Sequence, residues 1–155
     1  MRRLAILLGL LACADSSKTA TVPDSSIWSF PDTKSGQVII TKDASDPRWP
    51  TDPVTIDAVR IEGDSLVLNV AFGGGCRPHT FFLLGDAVWM ESYPVQTGLR
   101  LAHEDNNDNC KALVSRVLRF DLSPLKDTYR DSYQASTGII RLRIQGSTAS
   151  PTYKW

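Results

Sequence analysis

At 155 residues the chain has room for one domain of ordinary size with its own core. A hydrophobic content of 42% with 22% charged residues is that of a globular chain and excludes general disorder. The formal charge of zero excludes the basic footprint expected of a nucleic-acid binder, and no apolar run reaches the length of a membrane-spanning helix.

Met1-Arg2-Arg3 is a short basic start, Leu4 to Leu11 is an apolar run, and Leu10-Leu11-Ala12-Cys13 closes it. Basic, then apolar, then small is the order of a secretory signal. The tetrapeptide resembles a bacterial lipobox, which implies cleavage before Cys13 and lipid on that cysteine. On this basis residues 1–12 are expected to be a lipoprotein signal peptide. Residues 13–26, rich in Ser and Thr, are expected to be a flexible tether, and 27–155 a single β-sandwich domain. Loss of the signal leaves 15 basic against 17 acidic residues. The residue after Cys13 is Ala14 and not Asp, which by resemblance to Gram-negative lipoproteins implies the outer membrane if the organism has one. The expected partners are therefore the membrane, through the lipid, and an envelope protein or small ligand; no nucleic acid is expected.

The segment Gln37–Thr41 holds Val38-Ile39-Ile40, an expected first strand. Pro47, Pro50 and Pro53 around Trp49 mark a loop. Leu66, Leu68, Val70 and Phe72 then alternate with Val67, Asn69 and Ala71, the period-two signature of a half-buried strand. Gly63-Asp64 joins it to the run Val54–Glu62 as a two-residue hairpin turn. Gly85-Asp86 suggests the same device between Thr80–Leu84 and Ala87–Glu91. Val95, Leu99, Leu101 and His103 share one parity. Cys110, Ala112, Val114, Leu118, Phe120 and Leu122 share another, with Arg116 breaking the row. Ser123 suits an N-cap and Pro124 the first helical turn, with Leu125, Tyr129 and Tyr133 at i, i+4, i+8, so a short helix is expected near 124–133. Ile140, Leu142 and Ile144 make a last strand. The fold class expected is mainly β: an antiparallel, immunoglobulin-like β-sandwich of about eight strands with one short helix.

Chemistry concentrates in two short segments. Gly73-Gly74-Gly75-Cys76-Arg77-Pro78-His79 and His103-Glu104-Asp105-Asn106-Asn107-Asp108-Asn109-Cys110 contain both histidines of the chain and two of its three cysteines. In an oxidising compartment Cys76 and Cys110 are expected to form one disulfide that pins loops, since their spacing around Trp89 does not match the inter-sheet bridge of immunoglobulin domains. The alternative is a tetrahedral zinc set of Cys76, His79, His103 and Cys110. With the disulfide, no cofactor is expected. The run Asp105–Asn109 reads as a turn, since it lacks the Gly and Glu of an EF-hand loop, and the three glycines read as a bulge or sharp bend. Gly63-Asp64-Ser65-Leu66 spells the motif of the GDSL esterases, but Ser65 falls in a hairpin turn with no histidine base to activate it. No catalytic residue is expected. The two end loops, with Gly73, Gly74, Gly75, Asp105 and Asp108, are the expected binding surface.

Gly74 to Phe81 together with His103 to Lys126 resembles the C-terminal β domain of NigD-like bacterial lipoproteins. The resemblance implies an exported, β-rich lipoprotein. It covers only that family's C-terminal part, since 155 residues leave no room for its additional N-terminal β domain.

Overall fold

The computed structural model describes residues 33–155. The expected signal peptide, Cys13, the tether and Ile27–Phe30 lie outside the described residues. In chain order the elements are β1 (Thr33–Gln37), β2 (Ile39–Thr41), β3 (Thr55–Glu62), β4 (Ser65–Gly74), β5 (Thr80–Asp86), β6 (Val95–Glu104), β7 (Ala112–Asp121), α1 (Ser123–Tyr133), β8 (Ile139–Ile144) and β9 (Thr152–Lys154). They form a four-stranded sheet of order β1-β7-β4-β3 and a five-stranded sheet of order β2-β5-β6-β8-β9. The mainly β class with one short helix is as the alternating runs imply.

Alternation fixes the core. Leu66, Leu68, Val70 and Phe72 of β4 and Leu118 and Phe120 of β7 face Leu83, Leu99, Leu101, Ile140, Leu142 and Ile144 of the second sheet. Leu118, Phe120, Leu83 and Ile140 are at most 1% exposed, and burying such a side chain stabilises by about 1.5–3 kcal/mol. A second, small cluster of Ala44, Leu84 and Ala102 lies apart from the first, with Trp49 and Phe82 packed against it. The proline-marked loop is what covers this outer face: Trp49 lies 5.7 Å from Phe82, and Arg100 donates to the carbonyls of Ala44 and Pro50.

Three departures from the sequence expectation have physical causes. First, the sheets are mixed: β1–β7, β2–β5 and β6–β8 pair in parallel, where an all-antiparallel sandwich is expected. The single first strand is in fact two. Buried Val38 sits between them, and the chain changes sheets there, so β1 and β2 lie along the edges of opposite sheets. Second, Gly85-Asp86 is not a turn. Gly85 pairs with Leu99 and Ile40 inside the sheet, where an added Cβ would stand 3.2 Å from both Leu99 Cδ2 and Val38 Cγ2. Ala87–Glu91 is therefore loop, with one bridge from Met90 to Gln96. Third, Ser123 does not cap α1 from outside. It is the first helical residue, and its N–H and hydroxyl both donate to Asp121 Oδ1, at 2.9 and 2.7 Å. The Gly63-Asp64 hairpin forms as expected, with Glu62 opposite Ser65.

The sandwich has two differently built ends. One is closed by α1, which buries Leu125 and sets Tyr129 at a tilt against Tyr133, with Trp89 and Trp155 edge-on to Tyr129. The other end holds the two segments that carry the cysteines and histidines.

Candidate functional site

β4 ends at Gly74 and β5 begins at Thr80; β6 ends at Glu104 and β7 begins at Ala112. The two connecting loops therefore leave the same end of the sandwich. Cys76 and Cys110 join them by a disulfide, with Cα atoms 5.9 Å apart at a sequence separation of 34. Both cysteines lie in loops, so the bridge ties loop to loop.

Asp108 is the centre of the pair. Its Oδ2 accepts from the backbone N–H of Cys76 (2.8 Å) and Arg77 (2.9 Å), and its Oδ1 from that of Cys110 (3.0 Å). His79 Nε2 stands 3.2 Å from Oδ2. The N–H of Cys110, then those of Arg77 and Cys76 and the His79 ring, hold the carboxyl well below the usual carboxylate range, outweighing the opposite effect of burial. The side chains of Asp108 and His79 are each only 1% exposed.

From His79 the contacts run inward. Its Nδ1 lies 2.8 Å from His103 Nε2, and His103 Nδ1 faces the carbonyls of Pro53 (3.1 Å) and Asp52 (3.3 Å). His103 is 1% exposed, as its parity on β6 implies, and burial pushes its imidazole below the ordinary histidine value. Phe81 stacks on His103 at 4.6 Å, and Phe72 touches both imidazoles, at 4.6 Å from His79 and 5.2 Å from His103. Arg116, the residue that interrupts the apolar row of β7, places its guanidinium 5.5 Å over the Phe72 ring, a cation–π arrangement that suits a charge on an inward face.

The glycine run serves this arrangement. A Cβ on Gly74 would lie 2.6 Å from His79 Nε2 and 2.9 Å from Asp108 Oδ2, and Gly74 also has φ +142°. The turn residues serve it too. Asn106 and Asn107 both take left-handed φ, 53° and 57°, a conformation Asn tolerates better than most residues. Asn106 Nδ2 donates to the Pro78 carbonyl, Arg77 Nη1 donates back to the Asn106 carbonyl, and Asp105 Oδ1 accepts from Asn107 N–H.

The sequence-expected residues thus come together with altered roles. Of Cys76, His79, His103 and Cys110, the two sulfurs are bonded to each other, and the imidazole nitrogens face each other, a carbonyl and Asp108. Gly74 and Asp108 stand inside the loop pair, while Gly73, Gly75, Cys76, Arg77, Pro78, Asn107 and Asn109 are exposed. Ser65, at the start of β4, lies roughly 30 Å along that strand from Gly74. Nothing in the sequence tied Asp52 and Pro53 to His103, because they meet it through backbone carbonyls; the Asp52 carboxylate in addition accepts from Asp105 N–H. Asp108 did carry one: an Asp two residues before a cysteine suits an Asx turn, whose carboxylate then faces backbone N–H groups.

No protein-family model matches the chain, and no curated protein matches it. Solved structures do resemble it in fold. A NigD-like immunity protein from Bacteroides caccae is 18% identical with a TM-score of 0.52, over 76% of this chain and 58% of that one. A protein named as toxin-related from Parabacteroides distasonis is 19% identical with a TM-score of 0.49, over 79% and 59%. A protein of unknown function from Bacteroides vulgatus is 15% identical with a TM-score of 0.47, over 79% and 56%. The chain spans under three fifths of the length of each. At these identities the likeness is one of fold, and at that level the resemblance to NigD-like proteins holds.

Proposed function

We propose that this chain is an exported, lipid-anchored envelope protein, held at the outer membrane through Cys13. Its sandwich is a non-catalytic binding module for an envelope protein, with the disulfide-tied loops 73–79 and 105–109 as the contact surface. One observation carries the proposal. A disulfide and a four-donor carboxylate fix the two loops to each other, while Arg77, Pro78, Asn107 and Asn109 stay exposed on that rigid base. Loops held on a rigid scaffold are where recognition residues concentrate, and little ordering entropy remains to be lost on binding. The ring nitrogens of His79 and His103 are already engaged with each other, a carbonyl and Asp108.

The test uses the full chain in its native cell. A photo-crosslinking residue replaces Asn107 or Arg77, and Tyr93, 96% exposed in the 87–94 loop, serves as the control position. A discrete crosslinked partner at the first two positions and none at Tyr93 is expected. Equal crosslinking at all three overturns the contact surface. A fatty-acid label that persists in the Cys13→Ser variant overturns the anchor.

A further inference from the structure

We propose that His79 and His103 together hold three ring protons, one more than two neutral imidazoles carry, and that this extra proton latches the disulfide end of the sandwich. Three contacts lie in line: the Pro53 carbonyl to His103 Nδ1, His103 Nε2 to His79 Nδ1, and His79 Nε2 to Asp108 Oδ2. Both ends of the line are acceptors, a peptide oxygen and an ionised carboxylate. A contact of this kind is a hydrogen bond only when a proton lies in it. His103 Nδ1 and His79 Nε2 must therefore both be N–H. The contact between the rings needs one further N–H facing a bare nitrogen, so the count is three. Two neutral imidazoles supply two protons and leave one contact between lone pairs. Two imidazolium ions supply four and set N–H against N–H at 2.8 Å. Three protons satisfy every contact, with one net positive charge facing the Asp108 carboxylate.

The other charged groups around the pair fit this distribution. From the loop before β5, Arg77 turns to the Asn106 carbonyl. From β7, Arg116 lies over Phe72. From the loop before β3, Asp52 accepts from Asp105 N–H, and Asp105 accepts from Asn107. Glu104 and Lys111 are exposed. Among the described residues Asp108 is the charged group hydrogen-bonded to a ring, which places the extra proton on His79 and leaves His103 neutral, in keeping with the effect of burial on His103.

The count has a consequence that needs no titration constant of the folded pair. In the unfolded chain each histidine titrates near 6.5, so the pair holds four ring protons in acid, three on average near pH 6.5 and two above. The folded pair holds three. Below pH 6.5 the unfolded chain binds more protons, so stability rises with pH; above pH 6.5 the folded chain binds more, so stability falls. The latch is tightest near pH 6.5, whether or not the loops bind a partner.

Two measurements decide it. In the wild-type protein near pH 6.5, nitrogen-edited NMR should find three exchange-protected imidazole N–H protons, two on His79 and one on His103; two protons overturn the proposal. The second is the ratio of unfolding equilibrium constants of His79→Gln and wild type. With His103 left neutral in the variant, the wild-type advantage should be constant below pH 6.5. It should fall by up to tenfold per pH unit above, until the folded pair releases the proton. A ratio that is flat from pH 5.5 to 9 overturns the proposal, and if the variant does not fold the NMR count decides alone.

Discussion

Three consecutive glycines should give three different costs on substitution by alanine, and the order tests whether the His79–Asp108 pair is rigid. Among the described residues Gly73 has nothing within 4 Å of an added Cβ, and it has no positive φ. Gly73→Ala should leave stability unchanged or raise it by about 0.5 kcal/mol through the unfolded chain. Gly75 has φ +109° but meets nothing closer than Ala112 Cβ at 3.4 Å, so Gly75→Ala carries only backbone strain, about 1–2 kcal/mol. Gly74 has φ +142° and a Cβ position inside the His79–Asp108 contact. Neither neighbour is the loose end of a flexible chain: the carboxylate is held by three backbone N–H groups and the imidazole by His103. Overpacking of about 1–3 kcal/mol then adds to the strain, so Gly74→Ala should cost about 4 kcal/mol. Urea unfolding of the three variants gives the order directly, with the midpoint falling from Gly73→Ala to Gly75→Ala to Gly74→Ala. If Gly74→Ala matched Gly75→Ala within about 0.5 kcal/mol, the pair would be yielding freely, and the account of the glycine run would be wrong.

Other expectations follow from the same structure. Reducing the disulfide, or replacing both cysteines by serine, should lower stability by about 4 kcal/mol, the chain-entropy value for a 34-residue separation; an unchanged urea midpoint after verified reduction refutes this. Leu125→Ala should cost about 3 kcal/mol, because Leu125 is fully buried where α1 closes the sandwich, while Tyr93→Ala at a 96% exposed position should cost less than about 0.5 kcal/mol. Thermal unfolding of the two variants compares them. Asp108, Asp64 and Asp121 are all held below the ordinary carboxylate value, first by Cys110 N–H, Lys126 and Ser123 N–H respectively. Their contributions are therefore complete above about pH 4 and lost as pH falls through the lower folded values, so the unfolding midpoint should drop in strong acid. A midpoint flat from pH 5 to 2 contradicts the assignment. Tyr153, whose hydroxyl donates to Asp64 at 2.5 Å, is pushed up mainly by burial, so its contribution is present below about pH 10 and lost above, a second decline visible in the same titration.

What the sequence made legible was whatever one strand decides for itself. Period-two alternation placed Leu66, Leu68, Val70 and Phe72 inward, and the same parity placed His103 inward, because side-chain direction is local to a strand. Pairing partners are not local. Nothing in Gly85-Asp86 distinguishes a hairpin turn from a strand end pressed by Ile40 and Leu99, and the parallel seating of β2 decides between them. Likewise the move of β1 and β2 to opposite sheets hinges on Val38, which in sequence is one apolar residue among three. At the loops, cysteine spacing and composition identified the bridge. The part of Asp108 depends on three N–H groups from two loops converging on it, and that convergence exists only once the bridge brings the loops together. Arg116 is the informative violation: a charge in an apolar row marked the point where Phe72 and the two imidazoles gather.

The contrast between the two ends bears on which one suits the proposed binding role. The α1 end is sealed by Leu125 and a cluster of tilted and edge-on aromatic rings, closed by non-directional apolar burial. The disulfide end buries an ionised carboxylate and two imidazoles. Such a network must have each polar group satisfied, and apolar residues of similar volume would commonly be as stable or more so. Its distinguishing product is therefore not stability but geometry. Arg77 and Pro78 follow from where Asp108 holds the Cys76 and Arg77 N–H groups, and Asn107 and Asn109 from the left-handed turn between Asp105 and Cys110. Loosening the lock without unfolding the core should thus weaken partner crosslinking at Asn107 before it lowers the thermal midpoint appreciably. Asp108→Asn is the variant to use: it is isosteric but lacks the charge, and one side-chain atom that accepts in the wild type becomes a donor. Crosslinking that survives in Asp108→Asn until the whole domain melts would mean that the lock does no more than the aromatic plug at the other end.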